Sequence, residues 1–468
     1  MAARDDRFVA RLGLLDATTL VAGSMIGSGI FIVSADIGRR LPAPGWLLLV
    51  WALAGAITVA GALSYGRLAA AMPRAGGQYV YLSELYGPLW GFLFGWTLVL
   101  VIQTGTIAAV AVAFAKFAGV LWPALGANAA LFTLGPLAVS PVQATAVLVI
   151  VVLSALNARG LEAGRAVQNV FTFAKVGTLV AVIGLGLVFG DPAARRANLA
   201  QPAFASVLAP GQFIGQLAAT MVGALFSADA WANVTFTAAE VRDPRRTIPR
   251  ALVLGSASVC LLYLVTNIAY LNVLPLLGSE GGGDAFARGI AHASGDRVGT
   301  AVMERIAGGG GGSALMAAAI MVSTFGCANG IILAGARVAW AMAQDGLFVA
   351  RAGRLNAHRV PAAALGMQGA WASLLALSGR YGDLLDYVII AELVFYLLTV
   401  GGLFVLARRT GERPRGAFYP WLQLAYLSTV TGLVLALLIA KPTYTWGSLA
   451  VAASGVPFYV LWRRNART

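Results

Sequence analysis

A few groups able to bind or carry charge stand inside stretches that are otherwise apolar. The run Gly23-Ser24-Met25-Ile26-Gly27-Ser28-Gly29 holds three glycines in seven residues, a poor way to continue a helix because each glycine costs about 1 kcal/mol relative to alanine. At such a break the amides of Gly27, Ser28 and Gly29 start a new half-helix, whose positive dipole end suits a carboxylate. The carbonyls of Ala22, Gly23 and Ser24 are then left to receive an ammonium group, and with Met25 they complete a candidate site for both ends of an α-amino acid. Gly23 and Gly27 also read as a small-xxx-small pair for close helix packing.

A second interruption, Phe226-Ser227-Ala228-Asp229-Ala230-Trp231, carries an acid in the middle of an apolar window. Phe226, Ala228, Asp229 and Trp231 join the candidate binding set, although a short acid in a break also serves simply to cap amides of the half-helix after it. Lys175 stands about ten residues, or roughly 15 Å, inside its window, too deep for easy snorkelling. It is either a structural cation bonded to carbonyls of neighbouring helices or an ammonium in place of a coupling ion, with Ser323 and Thr324 as hydroxyl partners. Glu392, deep in another window, is either a pairing partner or a protonation site. Lys116 and Asp386 lie nearer an outer surface, and Trp340 and Tyr396 occupy positions where core packing is the default.

The elements that hold these groups follow from composition. Of 468 residues 59% are hydrophobic and only 11% charged, about half the charged share of an ordinary soluble domain. Lipid is therefore the expected solvent. Windows of about 20 apolar residues fall at 14–38, 45–70, 88–120, 141–158, 166–189, 212–238, 250–274, 313–343, 362–379, 384–407, 420–440 and 444–462, so an all-α integral membrane fold of twelve spans is expected. The two interruptions fall in the first and sixth spans, as a repeat of five spans requires, and paired broken helices are the sequence sign of a transporter's binding site. The division expected is 1–13 as the N-terminal tail, 14–190 and 212–408 as inverted repeats, 191–211 as an external loop, 409–462 as peripheral spans and 463–468 as the C-terminal tail. Residues 276–312 read as a second external loop containing a short helix, and 73–79 as a re-entrant turn.

The net charge of +14 does not gather on a basic domain, which argues against nucleic acid. Instead the basic residues alternate between loops. About 22 arginines, among them Arg4, Arg7, Arg11, Arg408, Arg409, Arg413, Arg415 and Arg467, share the side of the N-terminus, against about nine basic residues, Arg380 among them, on the other. By the positive-inside rule both termini are cytoplasmic. The mixed charges of Glu240, Arg242 and the residues after them are expected to latch an inner gate by pairing with Arg74 or Glu84. Two cysteines, Cys260 and Cys327, and two histidines, His292 and His358, supply neither a disulfide framework nor a metal-ligand pattern. No cofactor and no metal are implied, and no cluster suited to covalent catalysis is visible, so the chain does not read as an enzyme.

Gly23-Ser-Met-Ile-Gly-Ser-Gly-Ile-Phe31, Pro73-Arg-Ala-Gly-Gly-Gln-Tyr79, Glu240-Val-Arg-Asp-Pro-Arg-Arg-Thr-Ile-Pro-Arg250 and Ala334-Gly-Ala-Arg-Val338 with 342–346 together resemble the amino acid–polyamine–organocation permeases, most of all the L-type amino acid transporters and their bacterial relatives. The resemblance spans nearly the whole chain. It implies a LeuT-like core of two inverted repeats, a substrate carboxylate at Gly27, Ser28 and Gly29, an amino group held by carbonyls of both breaks, and Lys175 at the position where sodium-coupled relatives hold their second sodium. In that family the sixth-span break carries a second aromatic where Ala228 stands and a glycine where Ala230 stands, and Glu392 takes the place of an apolar or aromatic residue. The expected activity is sodium-independent exchange of neutral L-amino acids across the inner membrane by alternating access, with proton-coupled amino acid or polyamine symport and a non-transporting amino-acid sensor as alternatives. The partners implied are an amino acid and membrane lipid, with no nucleic acid and no obligatory protein partner.

Overall fold

The computed structural model describes residues 8–126, 130–134, 137–205, 208–378, 381–411 and 419–465. Arg4, Arg7, Arg380, Arg413, Arg415 and Arg467, counted in the charge asymmetry, lie outside them. The helices are α1 Leu14–Met25, α2 Val33–Arg40, α3 Pro44–Ala71, α4 Gln78–Tyr86, α5 Pro88–Thr97, α6 Gln103–Leu121, α7 Pro141–Ala158, α8 Leu161–Val188 and α9 Pro192–Leu199. They continue as α10 Pro210–Ser227, α11 Pro244–Val273, α12 Ala285–Arg288, α13 Val298–Ala307, α14 Gly310–Gln344, α15 Ala362–Ser378, α16 Tyr381–Thr410, α17 Trp421–Ala440 and α18 Pro442–Asn465. Among the described residues nine helical stretches are long and apolar enough to cross a membrane, and α1 and α15 are shorter apolar helices.

The described spans are helical, in line with the all-α expectation, and one short hairpin lies outside them. Strands β1, Phe132–Leu134, and β2, Leu137–Val139, pair antiparallel with Thr133 opposite Ala138. This segment lies between two apolar windows, where lipid does not force the backbone to satisfy itself as helix, and its Phe, Thr and Val favour a strand. Boundaries shift too. The seventh window begins as helix at Pro244 rather than at 250, because Pro244 stands at the first helical position, where a missing amide costs nothing. The stretch 73–79, expected to be re-entrant, runs at its end into α4, Gln78–Tyr86. The third window is one continuous rod in which Leu98–Ile102 is wound as a π turn between α5 and α6.

Both interruptions are visible as backbone. The first window divides into α1, a 3-10 turn at Gly29–Phe31 and α2. The sixth does not resume as an α-helix: α10 stops at Ser227, Ala230 takes a left-handed conformation at φ 64°, and 3-10 turns run from Trp231 to Glu240. Around these breaks α3 packs along α11, α6 along α14, and α8 touches α1, α11 and α14. On α8, Val170, Phe173 and Val180 are exposed while Lys175 is fully buried, so an apolar face meets lipid and the cation faces protein.

Candidate functional site

The last carbonyls of a helix have no partner within it, and in a membrane interior each must find one. The end of α1 meets this demand with side chains. Lys175 Nζ donates to Gly23 O at 2.5 Å and to Ile26 O at 2.9 Å. Cys327 Sγ reaches Ser24 O at 2.9 Å, and Tyr263 Oη donates to Met25 O at 3.0 Å. Ser323 Oγ bridges Ile26 O and Gly27 O at 3.2 and 3.3 Å, and the Ala22 carbonyl accepts the Ile26 amide at 2.9 Å. The carbonyls of Ala22, Gly23 and Ser24, expected to stand free for a substrate ammonium, are therefore already engaged. Thr324 does not join this set: its hydroxyl turns back to Ile320 O and Met321 O of its own helix.

On the other side of the break the donors differ. The 3-10 turn is closed by Phe31 N to Ser28 O and Ile32 N to Gly29 O, and the amides at the start of such a turn point out of its N-terminal end. The two breaks touch here. A Cβ on Gly29 would come within 2.9 Å of Ser227 Cα, and one on Gly27 within 3.1 Å of Cys327 Sγ, so only glycine lets the first break lie this close to the end of α10 and to α14.

Between the breaks lies a cavity of about 10 Å³, lined by Ser24, Met25, Gly27, Ser28, Gly29, Phe226 and Asp229 among the expected residues. Thr106, Val110, Ser227, Ala230, Cys327 and Ile331 complete it. Of these six, Ser227 and Ala230 lie within the marked second break, whereas Thr106, Val110 and Ile331 sit in apolar windows with no local mark in the sequence. Ala22, Gly23 and Ala228 do not line it, and Ala228 instead ends α10 as its C-terminal cap, its amide bonded to Ala224 O and Leu225 O.

Asp229 lines a second cavity of the same size with Ile57, Thr58, Leu225, Trp231, Ile389, Glu392, Leu393, Tyr396 and Tyr426. Tyr396 Oη donates to Asp229 Oδ1 at 2.9 Å, and Glu392 stands in side-chain contact with Asp229. Both carboxyls are buried, and Glu392 Oε2 has no hydrogen-bond partner among the described residues. Toward the ends of α2 and α16 a larger cavity of about 320 Å³ carries Asp36, Arg39, Arg40, Lys116, Asp296, Asp383, Asp386 and Lys441 on its walls. There Lys441 Nζ pairs with Asp386 at 2.6 Å.

Residues 12–462 match the family model described as amino acid permease. The chain belongs to the amino acid permease family. It is similar to the b(0,+)-type amino acid transporter 1 of Homo sapiens, 28% identical over 463 residues that cover 96% of this chain and 87% of the relative. The Asc-type amino acid transporter 1 of Homo sapiens is 27% identical over 467 residues, covering 97% and 83%. The serine/threonine exchanger SteT of Bacillus subtilis (strain 168) is 28% identical over 467 residues, 98% of each chain. The permease thus stands within the amino acid–polyamine–organocation superfamily, beside L-type transporters. It is a multi-pass membrane transporter of amino acids and not an enzyme.

The charged groups expected to latch the permease's inner side are arranged differently from the expectation. Arg74 and Glu84 pair with each other, both more than half exposed. Glu240 turns away from them to Arg337 on α14, 2.9 Å distant, with both side chains 1% exposed. Arg242 contributes its backbone: its amide donates to Leu12 O, while the amides of Arg11 and Leu12 donate to Glu240 O. The physical reason is burial. Glu240 lies inside the protein at the end of the 3-10 segment, where an acid needs a fixed cation, and Arg337 of α14 supplies it.

Proposed function

We propose that the permease exchanges neutral L-amino acids across the inner membrane without sodium, by alternating access. In this reading the twelve windows all span, 14–190 and 212–408 are inverted repeats of five, 409–462 is peripheral, and both termini are cytoplasmic. The substrate carboxylate docks on the amides of Gly27, Ser28 and Gly29, and its closure and release swing the two broken helices against the scaffold of α6, α8 and α14. Arg74, Glu84, Glu240 and Arg242 then belong to the inner gate.

The observation that carries the sodium-independent part is Lys175. Its ammonium holds the carbonyls of Gly23 and Ile26, with Ser323 on the Ile26 carbonyl beside it. A cluster of carbonyl and hydroxyl oxygens at a helix break is what an alkali cation would otherwise use, and a fixed ammonium there supplies the charge from within the chain. Exchange is further supported by SteT, whose name is that of an exchanger.

The test is uptake of labelled amino acids into proteoliposomes, with sodium or choline outside, with or without internal amino acid, and with or without a pH gradient. Uptake that requires internal amino acid and ignores sodium supports the proposal; sodium-driven uptake into empty vesicles sinks it. A second reading, proton-coupled symport, is favoured by the uncompensated carboxyls of Asp229 and Glu392, and it requires uptake into empty vesicles driven by acid outside.

A further inference from the structure

A chain of buried side-chain amides crosses the scaffold and ends on α1. Asn157 of α7, Asn329 of α14 and Gln168 of α8 are its members, all buried. Asn157 Nδ2 donates to Asn329 Oδ1 at 2.8 Å, Asn329 Nδ2 donates to Gln168 Oε1 at 3.2 Å, and Gln168 Nε2 donates to the Thr19 carbonyl at 3.4 Å. Each link is thus oriented by the one before it, and the chain points at α1. Thr172 Oγ1, one turn along α8, donates to the same carbonyl at 3.2 Å.

The helix itself does not require these bonds. Thr19 lies inside α1, where a carbonyl already accepts the amide four residues on, so the side-chain donors add to the helix and do not cap it. At the far end Asn157 Oδ1 is buried with no hydrogen-bond partner among the described residues. A buried polar network left partly unsatisfied gains less stability than its bonds suggest. What this network supplies is orientation.

Gln168, Thr172 and Lys175 recur along one face of α8 and take successive levels of α1: Thr19 O first, then Gly23 O and Ile26 O. The fit is close. A Cβ on Gly23 would run into Gln168 and Thr172, and one on Gly330 would stand 2.6 Å from Ser24 Oγ and 2.9 Å from Gln168 Nε2. Movement of the α1 half-helix away from α8 must therefore break the Thr19 contacts. We infer that Gln168, oriented by Asn329 and through it by Asn157, is a positioning residue for transport: it holds α1 against α8, and the strength of that hold governs how readily α1 leaves. The consequence for transport rests on the transport reading, whereas the hold itself is measurable without it.

The experiment compares deuterium uptake by the detergent-purified full chain with that of Gln168→Met, which keeps the side-chain length and removes the amide, and of Asn157→Leu. Exchange scales with local opening, and one hydrogen bond is worth about threefold to tenfold in such an equilibrium. Amides of Leu14–Met25 are expected to exchange at least about threefold faster in Gln168→Met, with α17 and α18 unchanged. Asn157→Leu is expected to act in the same direction, although among the described residues α1 packs against α8, α11 and α14 and not along α7. The double variant is expected to be no faster than Gln168→Met alone, because both act through one chain. In proteoliposomes preloaded with serine, the concentration of labelled serine giving half-maximal exchange is expected to rise about twofold or more in each single variant, as the binding-competent fraction falls. If Gln168→Met does not fold, Thr172→Val removes the other donor to Thr19 O and takes its place. Loosening spread evenly over all helices, wild-type protection of α1 in Asn157→Leu, or additive effects in the double variant overturn the inference. So does a loosened α1 with wild-type exchange kinetics. If the wild type exchanges no amino acid, the transport reading falls, and deuterium uptake still decides whether the amides hold α1.

Discussion

Glu240 and Arg337 form an ion pair of 2.9 Å in which each side chain is 1% exposed. The pair fastens the 3-10 segment that follows the second break to α14, and the Glu240 carbonyl also receives the amides of Arg11 and Leu12. Neither partner is fully satisfied, since Glu240 Oε2 and Arg337 Nε have no hydrogen-bond partner among the described residues. Removing one partner leaves a buried charge and typically costs 3–5 kcal/mol, whereas replacing both by apolar groups is often close to neutral.

Arg337→Met is accordingly expected to destabilise the detergent-purified protein by roughly 3–5 kcal/mol, and Arg337→Met with Glu240→Met to recover most of that loss. Thermal unfolding of the three proteins checks it. A double variant as unstable as the single one would show that packing by the arginine stem, and not the charge left on Glu240, governs this contact.

Lys175 supplies a second test, at the first break. With alanine there, Gly23 O loses its side-chain donor and Ile26 O keeps only Ser323. Lys175→Ala is expected to leave folded protein, because the surrounding helices are otherwise intact, but to lower the exchange rate at least tenfold, about 1.4 kcal/mol of barrier. Size-exclusion behaviour and uptake kinetics in the same preparation measure the two parts separately. Exchange at the wild-type rate would remove the lysine from the mechanism.

How far the site could be read from the chain follows from which interactions are local. Three glycines in seven residues mark a break wherever the helix goes, and Asp229 in an apolar run marks the second, so both were legible. Lys175 was legible as a buried cation because depth in a window is a one-dimensional property. Its partners were less so: Ser323 and Thr324 are adjacent, but one residue turns a helix by about 100°, and only Ser323 faces the break. The partner of Glu240 was not legible at all, because Arg337 stands far along the chain and pattern alone gives no tertiary distance. The strands β1 and β2 left no mark because three residues each are too few for a period to emerge.

Ala230 holds a left-handed backbone at φ 64°, a conformation that costs an L-residue with a Cβ about 1–2 kcal/mol. Glycine avoids that cost, although it also gives the unfolded chain more freedom. Ala230→Gly is expected to raise stability by a net of roughly 0.5–1 kcal/mol, read as an increase in melting temperature. A drop would show that the Ala230 methyl, which lines the cavity at the α1 break, contributes more in packing than its backbone costs.

Asp191 stands at the N-cap of α9, outside the apolar windows, where its side chain accepts the Ala193 amide at 2.8 Å and Arg305 Nη2 at 2.5 Å. Burial works upward on its carboxyl, but Arg305 and the Ala193 amide outweigh it and hold the group below the ordinary carboxylate range. A folded-state value below the unfolded one, about 3.9, means the unfolded chain binds the proton more readily. The contribution to stability is therefore fully present above about pH 5 and fades as pH falls through the folded-state value. Arg305→Ala removes the main opposing charge, so it is expected to melt lower than the wild type by a constant margin above about pH 5, with the two curves converging below about pH 4. Because Arg305 is partly exposed, added salt should narrow the margin as well. Melting temperatures across that pH range, at low and high salt, decide the matter. A margin that persists unchanged to about pH 3 would mean that Arg305 acts through its packing and not through the charge on Asp191.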